Sequence, residues 1–228
     1  MSSINTFQTF WSGLNWSVLT NMLMTVIPAL ICITFHEVSH GFVAYKLGDT
    51  TAKDAGRLTL NPIKHIDIFG LLMMVVFKFG WAKPVPVNMN NFKNPKGGMA
   101  ITALAGPVSN VLLAAVILLV YGFLYTPLAG AGSFGAVVAQ MLLTTAYLSC
   151  ALAVFNLIPI SPLDGSKVLF SFLPEKAYYT LMRYEFIGMF VLLAIVWSGA
   201  FSNFLVNWTD SFYNWLGGIA DWAYLLTV

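Results

Sequence analysis

Four long apolar stretches, at residues 18–45, 98–125, 136–158 and 186–206, constrain this chain before any other feature. Each is long enough to cross the roughly 30 Å hydrocarbon core of a bilayer as a helix. Of the 228 residues, 58% are hydrophobic and 9% charged, with a mean hydropathy of +0.78, which excludes a soluble globular domain of ordinary composition. The predicted fold class is an all-α polytopic membrane protein of about four to six transmembrane helices. A short re-entrant or β-like element is expected between the first and second long helices.

The basic residues set the expected topology. Lys46, Lys53, Arg57, Lys64, Lys78, Lys83, Lys93 and Lys96 lie between the first and second stretches, and Lys167, Lys176 and Arg183 between the third and fourth. Loops 46–97 and 161–185 are therefore predicted to be cytoplasmic. Residues 1–17, the loop around 129–135 and the tail after 206 contain no Lys or Arg, which assigns them to the opposite side. Stretch 66–79 is too short for a clear span. A full crossing there would also move Lys78, Lys83, Lys93 and Lys96 to the wrong side, so a re-entrant or shallow element is expected. Segments 56–62 and 83–88, bounded by Gly, Pro and Asn, read as brief edge strands or extended loops. The tail 207–228, rich in Trp and Tyr and interrupted by Gly217-Gly218, reads as an interfacial helix. A net charge of +2 gives no reason to expect a nucleic-acid partner, and Cys32 and Cys150, inside apolar runs, read as core packing. Without a basic leader or a small-residue cleavage site, no signal peptide is expected, and a bacterial or archaeal plasma membrane is the predicted location.

The first apolar stretch carries Phe35-His36-Glu37-Val38-Ser39-His40. On a helix, residues four apart share a face, so both imidazoles can reach one metal ion, with Glu37 beside it as a base for a metal-activated water. Three ionisable groups within five positions of a spanning segment, at about 2.5–3.5 kcal/mol each, call for a compensating partner. The plainer reading is a polar helix end at the interface. A zinc site of this kind needs a third ligand, His, Glu or Asp, and an open fourth position. His65, Glu175, Glu185, Asp49 and Asp54 lie in polar stretches, where solvated charge suffices. Asp164 follows a stretch broken by Pro159 and Pro162, which free backbone groups from the helical ladder; by itself it also fits an ordinary turn.

Three motifs together, HEVSH at 36–40, AGPVSN at 105–110 and NLIPISPLDG at 156–165, resemble the site-2 protease family of intramembrane zinc metalloproteases. The resemblance implies one Zn2+ per chain held by His36, His40 and Asp164, with Glu37 as general base. It also implies that Asn156 helps hold the substrate carbonyl or the developing oxyanion. Gly106-Pro107 is expected to let the second long helix approach the first closely, and Asn110 to bond across helices. Segments 56–62 and 83–88 resemble the parts of such enzymes that line substrate access, where an extended substrate adds as a strand. A single domain, 1–228, with a catalytic core at about 18–170 and no PDZ domain, is expected. The implied activity is hydrolysis of peptide bonds in or near transmembrane segments of membrane-protein substrates, in regulated intramembrane proteolysis or clearance of membrane remnants. The lipid bilayer and a second copy of the chain are the other expected partners. A metal-ion transporter built on the same His/Glu/Asp cluster is the alternative, although no internal repeat supports it. A membrane protease of the type acting on prenylated proteins would need a glutamate ligand, and Glu175 and Glu185 lack the setting for it.

Overall fold

The computed structural model describes residues 16–67, 70 and 82–227, which form eight α-helices and no strand. They are α1 (Trp16–Lys46), α2 (Thr51–Asp54), α3 (Pro95–Gly130), α4 (Gly132–Asn156), α5 (Asp164–Ser171), α6 (Glu175–Arg183), α7 (Glu185–Trp197) and α8 (Ser202–Leu225). Three of these helices are long and apolar enough to cross a membrane: α1 over Met22–Lys46, α3 and α4. A fourth is reached if the pair α6–α7, bent by 63°, counts as one span. The protein is thus an all-α polytopic membrane protein at the lower end of the expected helix number.

Local chemistry sets the boundaries. Asn94 caps α3, its side-chain oxygen accepting from the Gly97 amide at 3.1 Å, and Pro95 supplies the preset φ of a first helical residue. The loop expected around 129–135 shrinks to Ala131, with α3 and α4 packed as a tight antiparallel hairpin. The stretch 186–206 is not one helix. It breaks at residues 198–201, where the Ser198 hydroxyl donates to the Ile195 carbonyl at 2.7 Å and the Ala200 amide donates back to that hydroxyl at 3.3 Å.

The tail also departs from the sequence reading. Gly217-Gly218 does not interrupt it; α8 runs through both and packs along α3 and α4. Leu216 and Ala220 share a buried cluster with Ala114, Leu118, Ala146 and Cys150. That packing, together with the Tyr147 hydroxyl donating to Asp210 at 2.9 Å, offsets a helix cost of about 1 kcal/mol per glycine. A second cluster, Ile158, Leu163 and Leu192, seats the segment after α4 against α7. Cys32 and Cys150 are buried and unbridged.

Segments 56–62 and 83–88 take the extended-loop form, with a short 3-10 turn at Pro62–His65. They are tied side by side: Arg57 donates to the Lys83 carbonyl at 2.7 Å, and the Lys83 amide to the His65 carbonyl at 3.0 Å. The expected re-entrant stretch 66–79 lies outside the described residues, apart from Ile66, Asp67 and Gly70.

Asp49 anchors this loop layer. It is fully buried and accepts from the Thr51 hydroxyl and amide, from the Asn88 amide at 2.7 Å and from the Asn91 side chain at 2.7 Å. Burial alone would raise its pKa, but these donors outweigh it and hold the carboxyl below its ordinary value. A depressed carboxyl pKa adds stability above the unfolded-state value and loses it as pH falls through the folded-state value. Asp49→Ala should therefore destabilise the protein by roughly 2–3 kcal/mol near neutral pH. In thermal melts, the gap to wild type should stay constant down to about pH 4 and narrow only below it.

Candidate metal centre

Helix periodicity puts His36 and His40 on one face of α1, and antiparallel α3 lies against that face. Thr102, Gly106 and Asn110, also four residues apart, form the opposing face. The His40 Nδ1 lies 2.7 Å from the Thr102 carbonyl oxygen, and the His36 Nδ1 lies 3.2 Å from the Asn110 amide. Gly106 sits between them. A Cβ there would come within 2.5 Å of both imidazoles, so only glycine leaves room for the two rings.

Asp164 arrives from a different part of the chain. After α4 ends, residues 157–163 turn back through Ile160 N–H to the Ile158 carbonyl (2.8 Å) and Leu163 N–H to the Ile160 carbonyl (2.9 Å), and α5 begins at Asp164. Gly165 permits this return, because a Cβ on it would collide with the Leu157 carbonyl oxygen at 2.2 Å.

The three side chains meet at short range. His36 Nε2 and His40 Nε2 are 3.0 Å apart, and each is 3.2 Å from Asp164 Oδ2. This buried carboxylate oxygen receives no hydrogen bond. Bonds of about 2.0–2.2 Å to a tetrahedral zinc ion place ligand atoms roughly 3.3–3.5 Å apart, so the observed triangle is close to that spacing. Among the described residues, this is the one group of three His, Cys, Asp or Glu side chains able to hold a metal ion. The donor set also fits. The Thr102 carbonyl can only accept, which assigns a proton to His40 Nδ1, so the neutral ring has Nε2 bare for a ligand bond. His36 reaches the same state if the Asn110 amide turns by 180°, which lets the partnerless Asn110 Oδ1 accept a hydrogen bond from His36 Nδ1–H.

A cavity of about 430 Å³ opens beside the triangle, lined among others by Glu37, Asn156 and Lys167. Glu37 Oε2 accepts from the Val85 amide at 2.8 Å, which ties segment 83–88 to the side chain next to His36. Asn156, the last residue of α4, also reaches the wall, but its amide nitrogen donates to the Leu152 carbonyl of its own helix at 2.9 Å. His65 lies apart from the cluster, buried, with Nε2 at 2.9 Å from the Thr59 carbonyl oxygen.

Sequence reasoning missed three contributors: the Thr102 carbonyl, the Val85 amide and Lys167. The first two act through the backbone, which residue identity does not reveal. The third stands one helical turn after Asp164, a spacing visible in the sequence. Gly106→Ala should displace both imidazoles, lowering zinc affinity by at least the roughly 10–100-fold typical of losing an outer-shell partner. Zinc titration of the purified protein should detect this loss even where the variant remains folded.

Comparison with known proteins agrees with this geometry. The profile of peptidase family M50 matches residues 131–199. YwhC of Bacillus subtilis, a zinc metalloprotease by provisional name, is 39% identical over 181 residues, covering 78% of this chain and 81% of its own. Rip2 of Mycobacterium tuberculosis, provisionally named in the same way, is 25% identical over 90% of this chain and 74% of its own. Zinc metalloprotease MJ0392 of Methanocaldococcus jannaschii is 27% identical over 72% of this chain and 37% of its own. No solved structure matches the chain. With YwhC aligned over most of both chains, this protein belongs to peptidase family M50, the site-2 protease family, and is a membrane zinc metalloprotease.

Proposed function

We propose that the protein cleaves peptide bonds in or near transmembrane segments of other membrane proteins, with one zinc ion held by His36, His40 and Asp164. The observation that carries this reading is the triangle of two bare-capable Nε2 atoms and one unpartnered carboxylate oxygen beside Glu37. Bound there, zinc would polarise the scissile carbonyl and lower the pKa of the attacking water.

The chain's own groups do the rest. Val85 holds Glu37 Oε2, leaving Oε1 to take a proton from the attacking water and return it to the leaving amine. For Asn156 to steady the carbonyl or oxyanion, its amide must leave the Leu152 carbonyl, a side-chain rotation that substrate binding would select. A helical substrate hides its carbonyls in its own hydrogen bonds, so part of it must unwind before attack. Segment 83–88 offers such a strand an edge, with Pro84 and Pro86 lacking amide donors. Loops 46–97 and 161–185, which carry every basic residue, face the cytoplasm in this reading, and a bacterial or archaeal plasma membrane suits the sources of the relatives. Regulated intramembrane proteolysis or removal of membrane remnants is the corresponding biological role.

Zinc content and cleavage of a membrane-helix substrate, measured in parallel on detergent-purified variants, test the assignment. Wild type and Glu37→Gln should hold about one zinc per chain, with cleavage by the glutamine variant reduced about 10²–10⁴-fold. His36→Ala and Asp164→Ala should lose both zinc and cleavage. Zinc retained without Asp164 would displace that ligand, and wild-type cleavage by Glu37→Gln would remove Glu37 as the base. Normal zinc with no cleavage of any substrate would favour metal transport.

A further inference from the structure

The two oxygens of Asp164 have different surroundings. Oδ2 faces the imidazoles at 3.2 Å, whereas Oδ1 faces the Lys167 ammonium at 4.0 Å. Lys167 also reaches Glu185 Oε1 at 3.6 Å, so its charge lies between two carboxylates from different helices. Among the described residues lining the cavity, Lys167 alone is a lysine or arginine. Its side chain is only 20% exposed, and that of Asp164 10%, so water screens the pair far less than an ordinary surface ion pair.

We propose that Lys167 is a positioning residue for the metal centre, fixing the Asp164 carboxylate with one oxygen turned to the two imidazoles and the other held away. The inference rests on the ligand set proposed above. A carboxylate on a short side chain can rotate to present either oxygen, or both, to a metal ion; a cation fixed on one side selects the single-oxygen arrangement. Spacing supports this role. Lys167 follows Asp164 by three residues on α5, so its stem lies along the same helix face and its reach is set by that helix. Glu185, the first residue of α7, pairs with the same ammonium at 3.6 Å. Lys167 also offsets the negative charge of Asp164 and Glu185, which approach it from two helices. The metal ligand is thereby linked, through the Lys167 side chain, to the bend between α6 and α7.

The test uses the whole chain in detergent, stripped of metal with a chelator. Zinc is titrated against a chromophoric competitor, and the visible spectrum is recorded after loading with Co2+. Lys167→Met should weaken zinc binding about 10–100-fold and alter the Co2+ bands. Lys167→Arg, which keeps the charge, should restore most of the affinity and the wild-type spectrum. Lys167→Gln provides the same neutralisation if the methionine variant does not accumulate. Wild-type zinc affinity and an unchanged Co2+ spectrum in the neutral variants would overturn the proposal, even if cleavage were lost. An arginine variant as weak as the methionine variant would overturn its electrostatic basis. Zinc binding by His36→Ala equal to that of the wild type would refute the ligand set itself, a result distinct from either.

Discussion

The close antiparallel approach of α1 and α3 is the contact on which the candidate centre depends. Imidazoles and a carboxylate set within apolar helices must find partners inside the bundle, because lipid offers none. Gly106 lets the α3 backbone come within reach of both rings, while Thr102 and Asn110, one turn to either side, meet their far nitrogens. A side chain at 106 would occupy the space between the imidazoles. The Thr102 carbonyl that orients His40 belongs to a helix carrying Pro107, five residues on. A proline at 107 forfeits its own amide donor, which would otherwise bond to the residue-103 carbonyl, so the orienting carbonyl lies beside a weakened stretch of the ladder.

A second layer of contacts surrounds this centre on the loop side. Segment 83–88 is held from three directions: by His65 and Arg57 at Lys83, by Glu37 at Val85 and by Asp49 at Asn88. Its course is therefore dictated by the partners around it, since two prolines deny it the donors of a regular strand. Through the Val85 amide this loop layer touches the candidate base directly. The cluster of Ile158, Leu163 and Leu192 seats the return from α4, which brings Asp164 to the histidines. One polar triangle thus draws on α1, on the start of α5 and on the orienting face of α3. A shift in any of the three would open it.

Much was legible in the sequence. Hydropathy gave α1, α3 and α4 because a spanning helix must satisfy its backbone internally, which leaves long apolar runs as its signature. The four-residue spacing of His36 and His40 gave their shared face for the same local reason. Asp164 required the resemblance of NLIPISPLDG to known sequences, since an Asp-Gly pair after prolines is also an ordinary turn. The departures have two sources, packing in one case and local hydrogen bonding in the other. Gly217-Gly218 lies within α8 because Leu216 and Ala220 are committed to the bundle, and the apolar stretch 186–206 breaks because serine and backbone groups at 198–201 satisfy one another outside a helix.

The sequence by itself determined a membrane-embedded helical chain, the family to which it belongs and the residue types of a metal-dependent hydrolase, because each is written in composition, local spacing or contiguous motifs. Tertiary structure alone decided that His36 and His40 meet Asp164 from more than 120 positions away, and that the Thr102 carbonyl and Asn110 face the far sides of the two rings. It also decided that the Val85 amide holds Glu37 and that Lys167 bridges Asp164 and Glu185. These contacts join backbone atoms and distant helices, and their geometry is fixed by how closely α1, α3 and α5 can pack, a quantity that no local pattern of side chains encodes.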